Sequence, residues 1–310
     1  MKRLTFVSEA DFRQERDFGA KIGATFEFLA AHGRPLGKCL LYFVLPPSLL
    51  MGLGLGIAQS NGLDQLPQSN TSSMWTKVVQ AGQVMDIGVS YWLGMLSMGV
   101  AYVLLAATLY GYVQVRMALP PEQQVTPAHV GAQIRRYALR LVLSSVVWGL
   151  AIMVGLMLFV IPGLYLMVAL MVVWPVLVFE DRGADQAFSR SLTLVRGKWW
   201  STLGLYFMMS LVATVLGVVL TTPQYALMAG KVLLPGWFDS AVFSIGAGLL
   251  ANTGQILLYT PLLIALMFQY FNLVERKEGL GLRSLVASLG TGPAPVAQQH
   301  AYQPDDDGEY

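Results

Sequence analysis

Apolar residues gather into five stretches that contain no Asp, Glu, Lys or Arg: Cys39–Leu63, Ile87–Val115, Leu141–Phe179, Trp199–Gly230 and Ser240–Val274. A helix rises 1.5 Å per residue and needs about 20 apolar residues to cross a hydrocarbon core of about 30 Å. Every stretch meets that length. Leu141–Phe179 exceeds it, since a single helix there would run to about 58 Å. Pro162-Gly163, near its middle, is a turn signal. The pattern predicts two short helices in that stretch and six spans in all; a re-entrant hairpin fits equally and returns the chain to the same side. The expected fold class is an all-α integral membrane protein with six transmembrane helices, the third and fourth a short hairpin, plus amphipathic interfacial helices on the cytoplasmic face.

Between these stretches the pattern changes. In Asp17–His32 the apolar residues Phe18, Ile22, Phe26 and Leu29 recur at helical spacing, with Lys21 and Glu27 off that stripe. Gly33-Arg34-Pro35 is expected to end this helix, and the first span to run over Leu40–Gln59, interrupted by Pro46-Pro47. Thr126-Pro127 reads as an N-cap followed by a first-turn proline. Ala184–Arg196 segregates cleanly: Ala184, Ala187, Phe188, Ser191, Leu192 and Val195 on one face, Asp185, Gln186, Ser189, Arg190, Thr193 and Arg196 on the other. Glu180, Asp181 and Asp185 lie at its start and Arg196 and Lys198 at its end, as the helix dipole favours. Gly197 suits the residue after the cap. The expectation is a short helix lying flat on the membrane surface.

The chain divides into a cytoplasmic N-terminal segment (1–38), a membrane domain (39–274) and an acidic disordered tail (275–310). Two echoes cross the membrane domain: Gly33-Arg34…Leu41-Tyr42-Phe43 against Gly197-Lys198…Leu205-Tyr206-Phe207, and Tyr110…Arg116 against Tyr270…Arg276. A duplicated unit of surface helix, span, outer loop and span would produce them, and so would chance.

Composition supports the membrane reading: 55% of the 310 residues are hydrophobic, 12% are charged, and the mean hydropathy is +0.55. Soluble domains are about 25% charged. With the N-terminus inside, 18 of the 20 Lys and Arg fall on the cytoplasmic side and only Lys77 and Lys231 outside. Both termini are therefore expected in the cytoplasm. The 38 mostly polar residues before the first apolar run argue against a cleaved signal peptide. Basic clustering on one face favours contact with anionic lipid.

Candidate chemistry is sparse. Cys39 is alone, and His32, His129 and His300 fall on separate segments without metal-ligand spacing, so each reads as a solvated surface His. The spans hold no His, Lys or carboxylate to serve a nucleophile or a proton relay. No catalytic, metal or cofactor site is expected, and no nucleic-acid partner. `GLGLG` (Gly52 to Gly56) lacks the context of a phosphate loop, and its four-residue Gly spacing points to close helix packing. The sixth span is the most polar, and Asn252, Thr253 and Gln255 are candidates for lining a cavity. Arg182, Arg190, Arg196 and Lys198 are candidates for contacting lipid or a partner.

The order Glu180, Gly183, Ala187, Arg190-Ser191, Leu194, Gly197, followed at once by a span, resembles bacterial six-span proteins related to the membrane domain of some glycerophosphoryl diester phosphodiesterases and to the YciC-like membrane proteins. `IPGLYL` fits that resemblance over about Leu141–Leu220. `FRQERDFGAKIGATFEFL` looks like the start of the Bacteroidetes-type members. The resemblance implies a fold and an inner-membrane location. It implies no activity, because the phosphodiesterases' catalysis sits in a separate barrel, a TIM barrel takes about 250 residues, and no soluble segment here approaches that length. The expected role is a non-catalytic inner-membrane scaffold, assembly or stress-related component docking anionic lipid or a membrane or cytoplasmic partner. The alternative is a transporter or amphiphile-handling protein with an uncharged cavity.

Overall fold

The computed structural model describes residues 6–64, 86–120, 122–233 and 240–279. Among them the fold is entirely helical: α1 (Glu9–Phe12), α2 (Phe18–Phe43), α3 (Leu45–Asp64), α4 (Val89–Ala118), α5 (Pro127–Leu158), α6 (Val160–Ala169), α7 (Val173–Phe179), α8 (Ala184–Val195), α9 (Trp199–Leu233), α10 (Ala241–Leu258) and α11 (Thr260–Glu278). Five segments are long and apolar enough to cross a membrane: α4, α5, α6 with α7, α9 through Gly230, and α10 with α11. The bent pair α2–α3 makes a sixth.

Several predicted boundaries move. Helix α2 passes straight through Gly33-Arg34-Pro35 and ends only at Phe43, where a 56° bend leads into α3. Pro46 and Pro47 sit in the first turn of α3, where the missing N–H groups would have had no helical acceptor. Those prolines set the break that Pro35 does not. The turn before Val160 falls at Phe159, whose backbone is extended (φ −156°, ψ 135°), rather than at Pro162-Gly163. Glycines fix the closeness of that hairpin. A Cβ on Gly155 would lie 3.0 Å from the Gly163 Cα, and one on Gly163 would lie 2.6 Å from the Leu156 nitrogen. Thr126 and Pro127 do open a helix, but it is the 32-residue α5, not a short one, and the Thr126 side chain makes no cap bond. Pro223 lies inside α9. Helix α11 continues to Glu278 and stops at Gly279 in the left-handed region (φ 60°). The tail expected from 275 therefore begins in helix, and its remainder lies outside the described residues, as do Lys77, Pro235, Trp237 and His300.

Helix α11 is the axis of the molecule: Thr260 and every residue from Leu262 to Glu275 are buried. Helices α2, α4, α7, α8, α9 and α10 pack around it. On the outside the chemistry is apolar. Along α5, Val142, Leu143, Val146, Val147, Leu150, Met153, Val154 and Met157 are all exposed, and α9 continues the surface with Phe207, Leu211, Val215, Val218 and Val219. Helix α2 buries a mixed face: Lys21, Thr25 and His32 face the protein core together with Ala24, Phe28 and Leu36, while Phe18 and Phe26 of the apolar stripe are 39% and 42% exposed.

Candidate functional site

The stretch Glu180–Lys198 is a junction between four helices. Glu180 follows α7 and accepts from Arg190 Nε on α8 at 3.0 and 3.1 Å, from the Tyr270 hydroxyl on α11 at 3.2 Å, and pairs with Arg182 at 2.6 Å. Arg190 also pairs with Glu278. Burial opposes its charge, but the bonds to Glu278 and Glu180 outweigh that and raise its pKa. Asp181 sits at positive φ (49°) and pairs with Arg136 and, at 2.8 Å, with Arg140 on α5. Two of the three acids expected to complement the α8 dipole, Glu180 and Asp181, are thus the anchors of a charged knot.

Helix α8 itself forms over Ala184–Val195, as the amphipathic pattern predicts. Ala187, Ser191 and Val195 are buried, and Asp185, Gln186, Ser189, Thr193 and Arg196 are exposed. Leu194, absent from the predicted stripe, is also buried. The buried face rests on protein: Ser191 Oγ donates to the Ala169 carbonyl at 2.7 Å, and the Lys277 ammonium donates to the Thr193 carbonyl. Gly197 takes φ +84° and turns the chain into α9. The matched Gly33 instead lies mid-helix, so that echo carries no common local structure. The other echo is spatial: Tyr110 and Tyr270 are both buried and both rings lie near Phe179, at 6.0 and 5.7 Å.

The four basic candidates separate here. Arg182 and Arg190 are engaged by Glu180 and line a surface groove of about 350 Å³ along the polar face of α8, with Asp185 between them. Arg196 and Lys198 are exposed and form no ion pair among the described residues. They line a second open groove, of about 480 Å³, with Gly197, Glu15, Leu273, Arg276 and Lys277. Its one carboxylate, Glu15, pairs loosely with Arg276 at 3.7 Å. Trp199 and Trp200 follow directly; Trp199 stacks on Tyr165 and Trp200 is 78% exposed.

Beside this groove lies a buried polar layer. Lys21 Nζ donates to Gln269 Oε1 at 2.7 Å and to Ser201 Oγ at 3.3 Å, and Gln269 Nε2 donates to Thr202 Oγ1 at 2.9 Å. Asn272 Oδ1 accepts from the Arg16 backbone N–H at 2.8 Å. Ahead of α2, the one-turn α1 and the residues before it place Phe6 and Phe12 against Phe28, Phe268 and Phe271. His32, expected on the surface, is buried, stacks on Phe28 and bonds the Tyr112 hydroxyl at 3.1 Å. His129 is exposed. No group of three metal-ligating side chains occurs among the described residues.

The polar residues of α10 diverge. Thr253 is buried and donates to the Ser48 carbonyl on α3 at 3.0 Å. Asn252 bonds the Gly248 carbonyl of its own helix. Gln255 lies over α9, where a Cβ on Gly217 would come within 2.7 Å of its Oε1. None lines the small cavity of about 10 Å³ among Gly56, Gln59, Ser60, Gln224, Leu227, Met228 and Ser244, which holds about one water. The glycine run behaves as its spacing predicts. A Cβ on Gly52 would lie 2.8 Å from Thr253 Oγ1 and one on Gly56 3.1 Å from the Ile245 carbonyl, both on α10. Gly54 faces α4 instead, 2.7 Å from the Gly94 nitrogen and the Ser90 carbonyl.

Residues 68–274 match the model of a family described as a domain of unknown function, DUF7847. The chain belongs to that family. No curated protein and no solved structure matches it. The DUF7847 match contains Arg196 and Lys198 and ends just before Arg276 and Lys277, so the groove joins side chains from the domain to side chains beyond its C-terminal limit.

Proposed function

We propose that this DUF7847 protein is a non-catalytic, multi-pass component of the bacterial cytoplasmic membrane, with both termini in the cytoplasm, that engages anionic lipid through its basic face. The observation that carries the reading is the groove around Arg196 and Lys198. Arg182 and Arg190 are tied to Glu180, and Arg136 and Arg140 to Asp181, whereas Arg196 and Lys198 stand exposed in this groove beside Trp199 and Trp200. Tryptophans favour the headgroup level of a bilayer, and cations there are drawn to anionic lipid at about 1 kcal/mol each. The apolar exterior of α5 and α9 supports burial in a bilayer. The 18-to-2 distribution of Lys and Arg supports the orientation. The amphiphile-handling alternative finds little room, since the cavity between α3, α9 and α10 holds about one water.

The test is extraction from native membranes in a lipid-retaining polymer, followed by mass spectrometry of the co-extracted molecules. The expected result is enrichment of anionic phospholipid over the bulk membrane, lost in an Arg196→Glu/Lys198→Glu variant. Identical lipid from both proteins would overturn the proposal. A stoichiometric protein lost with the variant would replace lipid by a protein partner.

A further inference from the structure

Resting on the lipid reading above, we infer that the groove between the α8–α9 turn and the C-terminal end of α11 is a discrete site for a lipid headgroup bearing two phosphates. Four cationic side chains line it, Arg196 and Lys198 from the turn and Arg276 and Lys277 from α11, against the single carboxylate of Glu15. The lining therefore carries a surplus of three positive charges. One phosphodiester would leave two of them unmatched; two phosphodiesters leave one.

The cations arrive as two pairs on two different elements, which suits two phosphates held apart on one headgroup better than one phosphate at a single point. Size agrees, because the groove measures about 480 Å³, against about 30 Å³ for a water in the liquid.

A second, independent observation is Lys21. Its side chain is only 2% exposed, and among the described residues it has neutral hydrogen-bond partners and no carboxylate within ion-pair distance. Repulsion from Arg276 and Lys198 reaches it, relieved in part by Asp17. A buried ammonium set against two further cations is costly unless an anion lies nearby. Basic pockets between helices at the cytoplasmic surface are where multiply charged headgroups are held. The neighbouring groove under Arg182 and Arg190 does not compete, because Glu180, Glu278 and Asp185 already supply its negative charge.

The experiment uses the full chain in neutral-lipid nanodiscs, titrated with cardiolipin (two phosphates) or phosphatidylglycerol (one) at matched total charge, with bound lipid counted by native mass spectrometry. The expected result is one saturable cardiolipin site at least tenfold tighter than phosphatidylglycerol, weakened about tenfold by Arg196→Gln/Lys198→Gln. Both residues are exposed and form no ion pair among the described residues, so the variant is expected to fold. Arg135→Gln, an exposed cation elsewhere, should change nothing. Equal affinity per charge for the two lipids, both weakened in the variant, would overturn the two-phosphate site and leave general anionic binding standing. Indistinguishable binding by wild type and variant would overturn both.

Discussion

The two ends of the bundle are held together by different physics. At one end α3 lies between α4 and α10 on a run of glycines: Gly52 meets Thr253 and Leu249, Gly54 meets Gly94 and Gly56 meets Gly248, at distances that leave no space for a side chain. At the other, α2, α5, α7, α8 and α11 are joined by side chains, through the Glu180–Arg190–Glu278 and Asp181–Arg136–Arg140 pairs and the aromatic group around Phe12 and Phe268. Lipid tails are as apolar as Leu, so inside a bilayer close backbone approach is what remains to favour one helix neighbour over another. Where water reaches, charge and aromatic burial do that work. The charged end is also where exposed cations line a groove.

The sharpest way to break the comparison is to insert one methyl group at the glycine end. Gly54→Ala would drive a Cβ into the backbone of α4, with no flexible side chain to yield. The expected cost is about 3 kcal/mol, at the upper part of the overpacking range, read as a lowered midpoint of thermal unfolding in detergent. Gly246→Ala has no heavy atom within 4 Å of the new Cβ. It should be neutral or stabilise by up to about 1 kcal/mol through helix propensity. Equal effects at both positions would remove the distinction between the ends.

The charged end should answer to charge and not to volume. Glu180→Gln keeps the shape but removes the carboxylate shared by Arg190, Arg182 and Tyr270, of which Arg190 and Tyr270 are largely shielded from water. A loss of about 2 kcal/mol is expected, checked by the same unfolding measurement. Arg182→Gln, at a half-exposed partner, should cost under about 1 kcal/mol. Gly197→Ala tests the turn into the basic groove. Its φ of +84° is outside the comfortable range of an L residue, so about 1 kcal/mol should be lost even though no atom lies in the way.

The glycine end was readable from residues alone and the charged end was not. `GLGLG` states its role by spacing, because close approach depends only on what is missing from the side chain. The α8 pattern was equally legible, since one short helix on a flat boundary needs only its own periodicity. Lys21 and His32 defeat that logic. Their burial depends on Gln269 and Tyr112, which are 248 and 80 residues away, and no local window contains both partners. The α2 stripe is only partly exposed, at Phe18 and Phe26, and the buried face beside it mixes Ala24, Phe28 and Leu36 with Lys21, Thr25 and His32, a mixture that periodicity alone does not rank. Pro35 and Pro162 were over-read as breaks: helix continuity across them is decided by packing, while Pro46-Pro47 and Phe159 mark the real bends. The groove was half legible. Arg196 and Lys198 came from the α8 pattern, but Arg276 and Lys277 had been assigned to a tail.

The smallest expected effect sits at the edge of the charged end and asks how far its order extends. Asp11 Oδ2 accepts the backbone N–H groups of Ser8 at 2.8 Å and Val7 at 2.9 Å, closing the turn that sets Phe6 and Phe12 into the aromatic group. Burial alone would raise its pKa, but the backbone bonds from Ser8 and Val7, the Ser8 hydroxyl and Arg16 outweigh it, and the net shift is downward. A carboxyl with a depressed pKa contributes stability that is complete above its ordinary value of 3.8. That stability fades as pH falls through the lowered value in the folded protein. Amide exchange at Val7 and Ser8 should therefore stay protected at pH 6 and quicken below about pH 4, relative to the intrinsic rate at each pH. Asp11→Asn should remove the pH dependence while leaving α11 protected throughout. If α11 loosened in step with Val7 and Ser8, the N-terminal turn would belong to the same cooperative unit as the charged knot. If only Val7 and Ser8 responded, the turn would be a separate clasp laid over a bundle already held by Glu180 and Arg190.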